Sequence, residues 1–151
     1  MKKLFTVLFF VLFISLDSNS QVEYKVITSV ESIVPAGLGR SRLISSNEER
    51  DYKAYSSDRS DDKKEDGRNK SKRKNIRVKN FEETKLLNFY NLGGIRFQNI
   101  VANDALVSSK LNAMAQDGWE LAFVTSGVES DAGKGDGNGI YITRYVFKRT
   151  N

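Results

Sequence analysis

The chain has no cysteine and no histidine, and its 151 residues include one proline and one tryptophan. Without thiols there can be no disulfide, no thiolate metal site and no Cys–His catalysis. Without imidazole there can be no Ser-His-Asp triad, no His-ligated zinc and none of the commonest general base at neutral pH. Chemistry, if any, would fall to carboxylates, Lys, Tyr, Ser or Thr. An exported protein of this composition is held together by its core alone. Long apolar runs are scarce too. The one present, Leu4 to Leu16, is too short to span a bilayer comfortably as a helix.

That run has the layout of a secretory signal. Lys2 and Lys3 form a positive start, and Ser18 and Ser20 supply small residues before Gln21. The sequence predicts a signal peptide at 1–20 and a mature chain of 21–151, exported to the periplasm or the medium, with no membrane span after cleavage. A retained anchor is the alternative, and the shortness of the run argues against it. No cysteine follows the run, so lipid attachment at a cysteine is excluded. Loss of Lys2, Lys3 and Asp17 takes the formal charge from +5 to +4. That mild excess says only that anionic surfaces attract the protein.

The mature length suits one domain. Residues 21–46 read as a first strand, Val22 to Val30, then a Gly/Arg loop punctuated by Pro35, Gly37 and Gly39 and a short strand at Arg42–Ser45. Residues 47–80 are nearly all polar or charged, with acids (Asp58 to Asp66) preceding bases (Arg68 to Lys79). Such a segment buries too little to offset its ordering entropy, so a disordered, charged insertion is expected. Residues 81–151 complete the same domain, beginning with a strand at 85–90 and a hairpin return. A helix is expected over Asn103 to Asp117, with Asn103 or Asp104 capping its start, Leu106, Val107, Leu111, Met114 and Ala115 on one face, and Gly118 ending it. Strands at Trp119–Ser126 and Ile140–Arg149 flank a glycine-rich loop.

The expected fold is a single small α+β domain: a mostly antiparallel sheet with one main helix packed on one face. The helix face should cover Trp119, Leu121 and Phe123 and residues from Tyr141, Tyr145 and Phe147. Both parities of the strands carry apolar residues, so 31–46 and 81–101 are expected to cover the second face.

Four short elements run through this frame: Tyr24-Lys25-Val26 on the first strand, Leu111-Asn112 on the helix, Gly118-Trp119-Glu120-Leu121, and Phe147-Lys148-Arg149. In this pattern the chain resembles the bacterial domain-of-unknown-function family 4177. The resemblance implies the strand–helix–strand–strand frame. It implies no catalytic residues, and it leaves most of 31–101 uncovered, with 47–80 standing as an insertion.

Sites are few. Gly127 to Gly135 looks like a phosphate loop, but its spacing is one residue too long, Gly135 stands where Ser or Thr belongs, and no helix follows. Glu129, Asp131, Asp136 and Asn138 offer oxygens for calcium, yet no Glu closes the loop as in an EF-hand, and a solvated hairpin accounts for them. The acids Glu82, Glu83, Asp104, Asp117 and Glu120 show no spacing that argues for a catalytic pair. Trp119 reads as a core anchor more than as a stacking platform.

Two features remain. Arg40 and Arg42 share one parity beside flexible backbone and could grip one anion, the alternative being two exposed edge arginines. Arg68, Lys70, Lys72, Arg73 and Lys74 could hold an anionic envelope polymer, the alternative being a solvated linker. The basic run lacks interleaved aromatics, so specific nucleic-acid binding is not implied. No cofactor and no metal is implied. The sequence thus points to a non-enzymatic envelope or secreted binding module with an unidentified partner. Electrostatic polymer binding is the alternative, and a His-independent hydrolase ranks below both.

Overall fold

The computed structural model describes residues 21–33, 40–58, 68–128 and 139–150. The expected signal peptide, the Pro/Gly stretch, the acidic heart of the insertion and the glycine-rich loop with its candidate phosphate and calcium groups lie outside the described residues. The elements are β1 (Val22–Ser32), β2 (Arg42–Ser46), a 3₁₀ turn at Tyr52–Tyr55, α1 (Arg73–Ile76), β3 (Phe81–Lys85), β4 (Tyr90–Asn91), β5 (Gly94–Ile95), α2 (Phe97–Gln116), β6 (Glu120–Val128) and β7 (Ile140–Thr150). Five strands form one antiparallel sheet in the order β3-β2-β1-β7-β6, with a two-stranded β4-β5 hairpin apart from it. The main helix, α2, packs on one face. The protein is a small α+β domain.

The period-two pattern of β1 decides which face is covered. Ile27 and Ser29 are buried on the helix side, while Tyr24 and Val26, one position off, are exposed. Register carries the same face across the sheet, pairing Ile27 with Ser45 and Tyr145, and Ser29 with Leu43. The core is Ile27, Leu43, Leu86, Met114, Trp119 and Phe147, with Val107, Leu111 and Tyr145 packed against it. Each full burial of such an aliphatic or aromatic side chain stabilises by about 1.5–3 kcal/mol.

Three expectations change here. Among the described residues, 40–46 and 81–85 do not cover the second sheet face, because β2 and β3 are strands of the sheet itself. Among the described residues that face holds a hollow of about 350 Å³ walled by Val26, Thr28, Ile44, Val78 and Phe81. The strand expected at 85–90 lies at Phe81–Lys85 instead. Phe123 is not under the helix. A bulge between Leu121 and Phe123 shifts the register, so Leu121 pairs with Phe147 on the helix side but Phe123 pairs with Val146 on the other.

The helix also begins earlier than its sequence suggests, at Phe97, with no side-chain cap from its N-cap residue Arg96. Asn103 is therefore no cap; it is buried at mid-helix. Asparagine is a poor helix former because its amide competes for backbone groups. Here that amide is spent on a neighbouring segment. Asn103 Oδ1 accepts from the Leu87 N–H at 2.8 Å, and its Nδ2 donates to the Leu87 carbonyl at 2.8 Å and to Glu31 at 2.9 Å. One turn earlier, Asn99 Nδ2 donates to the Asn88 carbonyl at 2.7 Å. The two amides hold the β3–β4 connector, and buried Leu86 with it, against the helix.

The helix ends as expected. Gly118 has φ +81°, the left-handed region. Its N–H donates to the Ala115 carbonyl at 3.0 Å, and the Trp119 N–H donates to the Met114 carbonyl at 2.9 Å. This is the double bond of a Schellman stop, and Trp119 and Met114 belong to the same core cluster. The described ends of the insertion are joined by hydrogen bonds. Asn47 donates to the Asn80 carbonyl at 3.1 Å, and the Tyr55 hydroxyl donates to the Asn75 carbonyl at 2.9 Å.

Replacing Asn103 with Ala leaves the Leu87 N–H and carbonyl without their partner, at about 1–3 kcal/mol for each group so orphaned. Urea denaturation should show Asn103→Ala destabilised by about 2 kcal/mol or more. Asn103→Asp should be at least as damaging at neutral pH, because a carboxylate would face both the Leu87 carbonyl and Glu31. An unchanged midpoint in Asn103→Ala would show that the hook is dispensable.

Candidate functional site

Arg42 opens β2 and pairs directly with Lys85, the last residue of β3. Paired residues in an antiparallel sheet point to the same face, so two cations stand side by side. Arg40 lies just before β2 and is exposed. Arg40, Arg42 and Lys85 line one shallow cleft of about 280 Å³, with Ser41, Leu87 and Asn88. The two arginines singled out from the sequence are thus brought to one place. Lys85 and Asn88 were missed, because only the register of β3 brings Lys85 there and only the fold brings Asn88 to Ser41.

The floor of the cleft is fixed by a polar network. Buried Ser41 donates its hydroxyl to Asn88 Oδ1 at 2.7 Å and accepts from the Ser32 N–H at 3.0 Å. The Ser41 carbonyl accepts from the Leu86 N–H at 3.1 Å and from Arg42 Nη1 at 2.7 Å. Arg42 Nε donates to Glu83 at 2.6 Å. Two of the three nitrogens of the Arg42 guanidinium, Nε and Nη1, are therefore engaged, and Nη2 keeps its donors. Arg40 and Lys85 form no ion pair with any described residue. Like charges directly opposite on neighbouring strands destabilise a sheet by up to about 1 kcal/mol, and Glu83 offsets only part of that. An anion in the cleft would offset more.

A second cleft, of about 790 Å³, opens where β1 runs past the end of β2. Its walls include Glu23, Lys25, Glu48, Arg50, Trp119 and Arg149. Its charges are largely paired. Arg149 Nη2 donates to Glu23 at 2.8 Å while its guanidinium stacks over the Trp119 ring at 4.4 Å, and Arg50 donates to Glu48. Paired charge gives this cleft little selectivity for a charged ligand. It also accounts for Trp119, which is buried under Arg149 and within the core.

The acids do not converge. Glu82 and Glu83 point to opposite faces, Glu82 to Lys110 on the helix at 2.7 Å and Glu83 to Arg42. Glu120 pairs with Lys148 at 3.4 Å. Among the described residues no cluster of acids could hold a metal ion. The basic run is exposed: Arg68, Lys70 and Lys72 precede α1, and Arg73 and Lys74 begin it. No helix among the described residues is long and apolar enough to cross a membrane.

No family model, no curated protein and no solved structure matches the chain.

Glu48 ties the two ends of the insertion together. Its Oε1 accepts from the Asn80 N–H at 2.6 Å and the Lys79 N–H at 3.1 Å. The Asn80 amide, then Arg50, hold its carboxyl below the usual carboxylate value of 4.5. A depressed folded-state pKa means that the contribution is complete above about 4.5 and is lost as pH falls through the lower folded value. The Lys79 and Asn80 amide resonances should therefore titrate together, with a midpoint below that of an unperturbed glutamate. A midpoint at or above the free value would show that these bonds do not persist in solution.

Proposed function

We propose that the chain is an exported, non-enzymatic binding module that holds a carboxylate or phosphate group of its partner between Arg40, Arg42 and Lys85. The observation that carries this reading is the like-charge pair Arg42–Lys85 at the mouth of the cleft, with Arg40 beside it. Guanidinium forks match the geometry of both anions, and a lysine adds a point charge. The network through Ser41 and Asn88 fixes the backbone that carries them, which lowers the ordering cost of binding. Export rests on the signal-like segment at 1–20. It is tested by following a C-terminal tag into the periplasm or the medium and by reading the mature N-terminus at Gln21.

The binding test is an NMR titration of residues 21–151 with inorganic phosphate and with a polycarboxylate, followed at the Arg40–Arg42 and Lys85–Asn88 amides. Charge-assisted bonds contribute about 1.5–3 kcal/mol each, so Arg40→Ala/Arg42→Ala should weaken binding by at least about tenfold. Lys85→Ala should weaken it less, since it removes a point charge and no fork. Unchanged binding in the double variant would overturn the assignment.

A second reading is favoured by the exposure of Arg68, Lys70, Lys72, Arg73 and Lys74. In it, the insertion associates electrostatically with an anionic envelope polymer. Asn47 and Asn80 are hydrogen-bonded neighbours, so 48–79 can be replaced by a two-residue turn without opening the β2–β3 pair. That variant should lose polymer binding, and binding by the full mature chain should fall steeply with salt. Salt-insensitive binding, or binding retained in the deletion, would remove the insertion from the function.

A further inference from the structure

The two edges of the sheet are built differently. The β3 edge is five residues long, carries Glu82, Glu83 and Lys85, and is tied by the ion pairs Lys110–Glu82 at 2.7 Å and Arg42–Glu83 at 2.6 Å. Short length and charge are the usual means by which an edge is kept from pairing with another chain. The β6 edge has neither. It runs nine residues, about 30 Å, and holds one charge, Glu120, at its first position. It contains no proline and no lysine.

Every residue of β6 is exposed, and Leu121, Phe123, Val124 and Val128 are 40%, 56%, 47% and 56% accessible. They lie on both faces. Val124 and Val128 register with Tyr145 and Tyr141 on the helix side, and Phe123 registers with Val146 on the other. Apolar surface on both faces of an open edge is what a further strand would cover. The bulge between Leu121 and Phe123 breaks the regular ladder near its start and leaves 123–128 as an uninterrupted run.

We infer that β6 pairs antiparallel with the β6 of a second copy of this chain, forming a two-fold dimer with a continuous ten-stranded sheet. Its own composition selects this occupant. Charges across an interface choose between partners, and like charges brought together by a two-fold reject self-pairing. Over 121–128 this strand has none, so a two-fold brings no like charges together. Paired residues must point to the same face, so the axis runs between a residue and its own copy, and within 123–128 that residue is Val124, Thr125, Ser126 or Gly127. An axis at Ser126 sets Val124 against Val128 twice. An axis at Val124 sets Phe123 against Thr125 twice. Strand pairing of this length is at the small end of specific interfaces, so the dimer forms at micromolar concentrations.

The absence of native cysteine makes the test clean. Mature chains with single cysteines at Val124, Thr125, Ser126 and Gly127 should form a disulfide-linked dimer under mild oxidation, strongest at the residue on the axis, while Thr84→Cys on the opposite edge should not. Analytical ultracentrifugation should show a wild-type dimer over tens of micromolar. Thr125→Lys and Thr125→Glu should each be at least about tenfold weaker, and an equimolar mixture of the two should associate again. Thr125 is exposed, so circular dichroism should be unchanged in either variant. A monomeric wild type up to millimolar concentration would overturn the inference. So would variants that dimerise as well as the wild type, or a mixture that does not recover.

Discussion

Everything in this fold hangs on the pairing of its first strand with its last. β1 and β7 register residue for residue, from Val22 opposite Thr150 to Ser32 opposite Ile140. They form the middle of the sheet, with β2 and β3 added on the β1 side and β6 on the β7 side. Joining positions so far apart in sequence costs loop-closure entropy before it returns any contact, and such topologies fold slowly. The return is that the helix side of this pair presents Ile27, Phe147 and Tyr145 together, and α2 covers them. The seam is finished by Arg149, which pairs with Glu23 across it and lies over Trp119.

With no disulfide to staple the remaining segments, side-chain amides and hydroxyls take that part. Asn99 and Asn103 hold the connector after β3 to the helix, while Asn88 and Ser41 hold it to the start of β2. Buried polar networks rigidify when every member is satisfied. This one lies in the cleft lined by Arg40, Arg42 and Lys85 and fixes the backbone that carries them. The hydrogen bonds that replace a staple also pre-organise the cleft.

Much of the frame was legible because it rests on local rules. The period of two placed β1, and the 3.6 period with Gly118 placed the second half of α2 and its end. The first turns of α2 were not legible. Phe97, Ile100 and Val101 have no preference for helix, and Asn103 looks like a start signal when only its neighbours in sequence are seen. Its partner, Leu87, is sixteen positions away and recognisable only once folded. Phe123 was misplaced for a similar reason, since a bulge is a property of two strands and not of one. Of the cleft, the arginines were legible as types of residue at one parity. Lys85 and Asn88 were not, because nothing local says which residue of β3 lies opposite Arg42 or that Asn88 meets Ser41, 47 positions away.

The sequence by itself determined the chemistry this protein cannot perform, since absent thiols and imidazoles are absent in any fold. It also determined the fold class, because hydrophobic periodicity, a glycine stop and a tryptophan after it act within a few residues. The tertiary structure decided which face of the sheet is covered, which cations meet, and which edge stays open. Each of those depends on strand register. Register is chosen by the summed packing of segments distant in the chain, and a slip of one residue would send every side chain of a strand to the opposite face.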